Sequence, residues 1–135
     1  MGLSPRLSPA MQVVHNAVRK AGRRLLRDFA EVETLQVSAK GPSDFVSKAD
    51  LRAEQTLREE LTKARPQFGL LGEEGGESGN ADWEYRWVVD PLDGTTNFLH
   101  GIPHWSISVG VERRIHERRT ELVAGCVYAP ALDEM

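Results

Sequence analysis

A chain of 135 residues fits one domain, and its 40% apolar and 27% charged residues are typical of a soluble globular protein. The formal net charge is −3, so no overall field favours nucleic acid or an anionic membrane, and any attraction for phosphate must be local. No stretch approaches the roughly 18 apolar residues of a membrane span, and we expect neither a nucleic-acid nor a membrane partner.

The N-terminal third of the chain is predicted to be helical after a short leader. Residues 1–9 are expected to form a flexible leader, and residues 10–135 one domain. Apolar residues at steps of three and four predict the first helix: Val14, Ala17, Val18, Ala21, Leu25 and Phe29. Five basic residues fall largely off that stripe and are interpreted as its solvated face: Arg19, Lys20, Arg23, Arg24 and Arg27.

The middle of the chain alternates between a loop, a helix and short strands. A loop at 40–44 precedes a second helix, whose apolar line is Ala53, Leu57 and Leu61. The glycine-bounded run 69–72 predicts a buried strand, and the polar residues 75–82 predict a surface loop. A second buried strand is expected at 87–89, ending at Asp90.

The C-terminal part is predicted to contain two further strands. A turn and the start of a helix are expected at 91–98. Alternating apolar residues predict a half-buried strand at 105–111, charged residues 113–121 a turn or hairpin, and residues 122–128 a final strand. Helices followed by about four strands indicate an α+β or layered α/β fold.

Cys126 is the single cysteine, so no intramolecular disulfide can form. It lies in an apolar run and is interpreted as a small core residue. A lone thiol is typical of a reducing compartment. With an N-terminus that does not resemble a signal peptide, this predicts a cytoplasmic location.

The sequence Asp90-Pro-Leu-Asp-Gly-Thr-Thr-Asn-Phe98 carries the clearest chemistry. Its two carboxylates follow a buried strand, where an uncompensated charge is costly and a divalent cation would compensate it. Mg²⁺ prefers such oxygen ligands, and the carbonyl of Leu92 could also reach it. Gly94 allows close backbone approach, and amides at the start of a helix would form an anion site.

Two further acidic positions are candidates for the same site. Glu73 and Glu74 follow the strand at 69–72, where they form either a solvated pair or a third carboxylate source for the metal. Asp50 is expected at the start of the second helix, where it either complements the helix dipole or orients an attacking water. His100 and His104 are separated by Gly101 and Pro103, which argues against a zinc site on one helix face.

These motifs together resemble the inositol monophosphatase family. The resemblance rests on Gly72–Gly75 and Trp87–Phe98, which look like the family's first signature region, and on 40–46 with Asp50, which look like its upstream loop and helix start. It extends from about residue 10 to the end of the chain. It implies the layered α-β-α-β-α fold of the sugar phosphatases, with only the N-terminal α+β half present here.

The resemblance also implies roles for individual residues. Glu73, Asp90 and the Leu92 carbonyl would hold a first Mg²⁺, and Asp90 and Asp93 a second. Asp93, Gly94, Thr95 and Thr96 would line the substrate and phosphate position. Thr95 and Asp50, with Glu73 nearby, would activate the attacking water in two-metal hydrolysis. The family is typically sensitive to lithium.

One departure from the family pattern concerns the second metal. The family supplies a further aspartate from a later W-D-x-x-A-G motif, which this sequence does not contain. We therefore expect a truncated chain that is inactive alone, and a homodimer when the protein is full length.

The expected activity is hydrolysis of inositol 1-phosphate or a similar small phosphorylated polyol. Thr96-Asn97 after the D-G-T favours the inositol monophosphatase branch. Phosphatases of the same fold for histidinol phosphate or for nucleotide bisphosphates remain alternatives. So does a module that binds metal or phosphate without catalysis.

Overall fold

The computed structural model describes residues 8–35, 42–73 and 75–135. Residues 1–7 of the expected leader, and residues 40 and 41 of the expected loop, lie outside the described part. Within these ranges there are three α-helices, α1 (Pro9–Leu35), α2 (Pro42–Ala64) and α3 (Thr95–Leu99), and a short 3-10 helix at Pro130–Leu132. The same ranges contain five strands: β1 (Gly69–Leu71), β2 (Glu77–Gly79), β3 (Tyr85–Asp93), β4 (Ser106–His116) and β5 (Arg119–Tyr128).

The predicted apolar stripe of the first helix is confirmed. Its residues are buried, except that Phe29 is partly buried, and the five basic residues are exposed as expected. Both long helices begin at proline, whose fixed φ suits the first helical turn and whose missing N–H is not needed there. Helix α1 thus begins at the last residue of the expected leader, and α2 includes residues 42–44, which were wrongly assigned to a loop.

The five strands form one mixed sheet in the order β2-β1-β3-β4-β5. Strands β1 and β3 are parallel neighbours, and the other pairs are antiparallel. The prediction of about four strands missed β2, which lies inside the expected surface loop 75–82. All three residues of β2 are exposed, so backbone pairing with β1 forms the strand without any apolar pattern in the sequence.

Strand β3 is longer than predicted, because it continues through Pro91 to Asp93. The turn expected at 91–98 is therefore partly wrong, and only Thr95–Leu99 is helical. Pairing with β4 shifts by one residue between Asp90 and Asp93, which is a β-bulge. Pro91 lies in this bulge, where its missing N–H removes no regular ladder bond.

The β4–β5 hairpin extends through most of the charged run that was predicted to be a turn. Strand β4 ends at His116 and β5 begins at Arg119, so only residues 117 and 118 connect them. The residues at this end of the hairpin are largely exposed. Apolar alternation therefore stops there, whereas backbone pairing continues.

The core lies between α1, α2 and one face of the sheet. Alternate strand residues point into it, including Trp87, Val89, Ile107 and Val109. Aromatic rings from α1, α3 and the start of β4 meet in one cluster: Phe29, Phe98 and Trp105, with ring centroids 5.0–5.4 Å apart. No helix of the described residues is long and apolar enough to cross a membrane.

The opposite face of the sheet carries no helix among the described residues. Register places Val88, Gly110 and Leu122 on this side, together with Ser108 and Val127. Leu122 and Val127 are 69% and 59% exposed. We call this surface the open sheet face.

Candidate phosphate and metal site

The bulge at the end of β3 holds the Asp90 side chain against its own turn. Asp90 Oδ1 accepts a hydrogen bond from the Leu92 N–H at 3.2 Å, which is an Asx-type turn. The side chain of Leu92 is buried, and Asp90 is partly buried. The bulge therefore anchors the peptide between the two aspartates to the core while Asp90 remains accessible.

Glu73 follows the end of β1, and Asp90 lies in the C-terminal part of the neighbouring parallel strand β3. Leu71, the last residue of β1, is opposite Val88 of β3, and Glu73 and Asp90 each follow that pair by two residues. Both line one cleft of about 270 Å³, together with Leu71, Gly72, Val88 and Val89. Two acidic residues thus line the same space, whereas Glu74 lies outside the described residues.

Gly94 connects β3 to α3 in a conformation that other residues rarely adopt. Its φ is +90°, and a Cβ there would lie 2.9 Å from the carbonyl oxygen of His104 and 3.2 Å from Trp105 Cα. Asn97 Nδ2 donates to the same His104 carbonyl at 2.8 Å. The turn is therefore pressed against the chain entering β4, and the first amides of α3 follow directly at Thr95 and Thr96.

Asp50 lies in the third turn of α2, so the expectation that it starts this helix is wrong. The difference arises because α2 begins at Pro42, earlier than the sequence pattern indicated. Asp50 is 9% exposed and lines a cleft of about 240 Å³ with Thr95 and Thr96. A carboxylate and two threonines that are distant in sequence therefore share one space.

Asp93 and Gly94 line a third cleft, of about 330 Å³, with Asn97 and the residues that lead into β4. The candidate residues thus surround the end of β3 in three neighbouring clefts. Within the described ranges, no group of three or more His, Cys, Asp or Glu side chains is arranged to hold a metal ion. Carboxylate and carbonyl oxygens at this sheet end are nevertheless the ligand type that Mg²⁺ prefers.

Glu54 of α2 is a residue of this region that the sequence analysis did not identify. It is only 4% exposed, and its carboxylate accepts hydrogen bonds from the N–H groups of Glu73 and Gly75, both at 2.8 Å. Its spacing of four from Asp50, beside the apolar line of Ala53, Leu57 and Leu61, is the indication that the sequence offers.

The histidines and the cysteine lie where the sequence predicted. His100 follows α3 and His104 precedes β4, so no single helix face presents both. Cys126 is 9% exposed, and burial raises the pKa of its thiol above the usual value, while Arg19 nearby opposes that shift. A neutral, buried thiol is a core residue rather than a reactive one.

Comparison with known proteins identifies the family. The sequence matches the inositol monophosphatase family over residues 6–135. It is 57% identical over 128 residues to an inositol-1-monophosphatase of Rhizobium meliloti (strain 1021), covering 95% of this chain and 46% of the relative. It is 36% identical over 129 residues to the Nus factor SuhB of Vibrio cholerae (strain El Tor Inaba N16961), covering 96% of this chain and 46% of that protein.

A solved structure agrees with the fold. The extragenic suppressor protein suhB from Bartonella henselae superposes with a TM-score of 0.77 at 51% identity, over 93% of this chain and 47% of that one. The chain spans about half the length of the curated relatives it matches. The expected layered α/β fold is confirmed, and the chain belongs to the inositol monophosphatase family.

Proposed function

We propose that this chain forms part of a magnesium-dependent phosphomonoesterase that hydrolyses inositol 1-phosphate or a similar small phosphorylated polyol. The observation that carries the proposal is the meeting of Glu73 and Asp90 in one cleft, directly before the turn at Gly94 and Thr95. Carboxylates beside helix-start amides combine a site for a cation with a site for phosphate.

The donor set fits magnesium in its chemistry. Glu73, Asp90 and the Leu92 carbonyl are proposed to hold one ion, and Asp90 and Asp93 a second. When bound, Mg²⁺ would neutralise phosphate charge and lower the pKa of a coordinated water. The second set is incomplete in this sequence, because the W-D-x-x-A-G motif is absent.

The remaining residues are proposed to bind and orient the substrate. The amides of Gly94, Thr95 and Thr96 would donate hydrogen bonds to phosphate oxygens, and Asp93 would border the same position. Asp50 and the Thr95 hydroxyl, which line one cleft, would orient the attacking water. Such positioning suits phosphoryl transfer, because the protein catalyses that reaction mainly by orienting the reactants and stabilising charge.

A chimeric protein offers the most direct test. In it, this chain replaces the 128 matching residues of the Rhizobium relative. The chimera should release phosphate from inositol 1-phosphate in a magnesium-dependent reaction. Asp90→Asn should lower kcat/KM by roughly 100-fold or more, because it removes a proposed ligand. Asp82→Asn, at an exposed turn, is the control and should change little. Near-normal turnover in Asp90→Asn would overturn the metal assignment.

The same chimera separates the remaining alternatives. Faster turnover of histidinol phosphate or of a nucleotide bisphosphate would assign another substrate to this fold. Saturable Mg²⁺ or phosphate binding without any turnover would favour a binding module. That outcome has weight because several relatives are named Nus factor SuhB rather than phosphatase. A homodimer and a cytoplasmic location for the whole protein are part of the proposal.

A further inference from the structure

The loop that carries Glu73 is wrapped around a buried carboxylate. Both oxygens of Glu54 accept backbone hydrogen bonds from this loop, Oε1 from Glu73 N and Oε2 from Gly75 N, each at 2.8 Å. The loop is also closed on itself, because Gly72 N donates to the Gly76 carbonyl at 3.0 Å. Backbone amides that point inwards in this way can bind a free anion, and here the Glu54 carboxylate occupies the position of that anion.

Arg58, one helical turn after Glu54, supplies the opposite charge. Its Nη2 lies 3.0 Å from Glu54 Oε2 and 3.3 Å from the Gly76 carbonyl oxygen, and its Nη1 donates to Ser78 Oγ. A buried carboxylate is costly unless it is paired and hydrogen-bonded, and here it has both kinds of partner. The pair therefore ties α2 to the loop and to strand β2.

Two glycines permit this close approach. A Cβ on Gly72 would overlap Arg58 Nη2 and lie 2.8 Å from Glu54 Oε1. A Cβ on Gly75 would lie 2.5 Å from Arg58 Nη2 and 3.2 Å from Glu54 Oε2. A larger residue at either position would therefore displace the ion pair that the loop encloses.

Asp50, Glu54 and Arg58 follow each other at intervals of four on α2, so they lie along one face of the helix. This face reaches the cleft at Thr95 through Asp50 and the Glu73 loop through Glu54. The Glu73 amide is held towards Glu54, and the exposed Glu73 borders the cleft that it shares with Asp90.

We propose that Glu54, with Arg58 as its counter-ion, is a positioning residue that holds the Glu73 carboxylate at the end of β1 for cation binding. This inference rests on the proposed function, in which Glu73 is a magnesium ligand. Glu54 itself acts only through the loop backbone. Gln in its place would keep one acceptor oxygen, but its NH₂ group would face a backbone N–H and could not accept from it.

The test is a Mg²⁺ titration by calorimetry, combined with hydrogen exchange of the loop amides in the metal-free 135-residue chain. Glu54→Gln should weaken Mg²⁺ binding by roughly 10-fold. It should also speed exchange at the amides of residues 73 and 75. Glu59→Gln, an exposed glutamate on the same helix, is the matched control and should alter neither quantity. In the chimera, higher Mg²⁺ concentration should restore the activity that Glu54→Gln loses.

Glu73→Gln, in the same titration, separates the ligand role of Glu73 from the positioning role of Glu54. If Glu73→Gln binds Mg²⁺ as the unaltered chain does, the ligand assignment in the proposed function fails. If it weakens binding while Glu54→Gln leaves binding and amide exchange unchanged, only the positioning inference is overturned.

Arg58→Gln provides a second variant should Glu54→Gln not fold, as judged by circular dichroism. It leaves the carboxylate in place and removes its charge partner. Faster exchange of the loop amides together with weaker Mg²⁺ binding would support the inference, and no change in either would overturn it.

Discussion

The positions of single residues around the end of β3 depend on hydrogen bonds between carboxylates and backbone amides. Asp90 is held by an Asx-type turn within a bulge, and Glu73 by a loop folded around Glu54. The sequence motif identified both acids as candidates. It did not show that β1 and β3 are parallel neighbours or that both acids line one cleft, because pairing between distant segments leaves no local pattern.

Gly94 provides the sharpest test of this geometry. Gly94→Ala should lower the free energy of unfolding by about 3 kcal/mol, because the positive φ is strained for alanine and the new Cβ would meet backbone atoms that cannot rotate away. Urea denaturation followed by circular dichroism measures the change.

Gly76→Ala is the matched control for that substitution. Gly76 also has a positive φ, of +64°, but no atom lies within 4 Å of the position that its Cβ would occupy. Backbone strain alone predicts a loss of about 1 kcal/mol. Equal losses for the two variants would contradict the argument that close packing at Gly94 adds to the strain.

Whole elements divide into those with an apolar pattern and those without one. The long helix α1 and the buried part of β4 were predicted from periodicity, since burial of one face imposes it. Strand β2 and the outer end of the β4–β5 hairpin were missed or assigned to turns, because they are held by backbone pairing on exposed surfaces.

Helix α1 offers a direct comparison between its two faces. Leu25 is fully buried, and Leu26 beside it is 36% exposed. Leu25→Ala should lower the free energy of unfolding by about 3 kcal/mol, through lost burial and the cavity that remains. Leu26→Ala should lower it by less than about 1 kcal/mol. Equal effects in urea denaturation would show that α1 does not pack on the sheet by the predicted stripe.

The whole molecule has one face covered by helices and one that is not. On the open sheet face, Leu122 and Val127 project from β5, which is the edge strand of the described sheet. An apolar surface beside an unpaired edge favours association with another chain.

We therefore expect the 135-residue chain to self-associate as its concentration rises, measured by light scattering after size-exclusion chromatography. Combined replacement Leu122→Gln and Val127→Gln should shift the chain towards the monomer, because it removes apolar area from the open sheet face. Leu51→Gln, a 52% exposed leucine on α2, is the control and should leave the mass unchanged. A monomeric mass for the unaltered chain over the whole concentration range would contradict the expectation.

The sequence by itself determined the fold class, the helix stripes, the family and the candidate residues from Glu73 to Thr96, because periodicity and short motifs are local properties. Only the tertiary structure decided that Glu73 shares a cleft with Asp90, that Asp50 shares one with Thr95, and that Glu54 is buried beneath the Glu73 loop. Those relations depend on strand register, on where α2 begins and on packing between segments distant in the chain. They arise when the whole core forms.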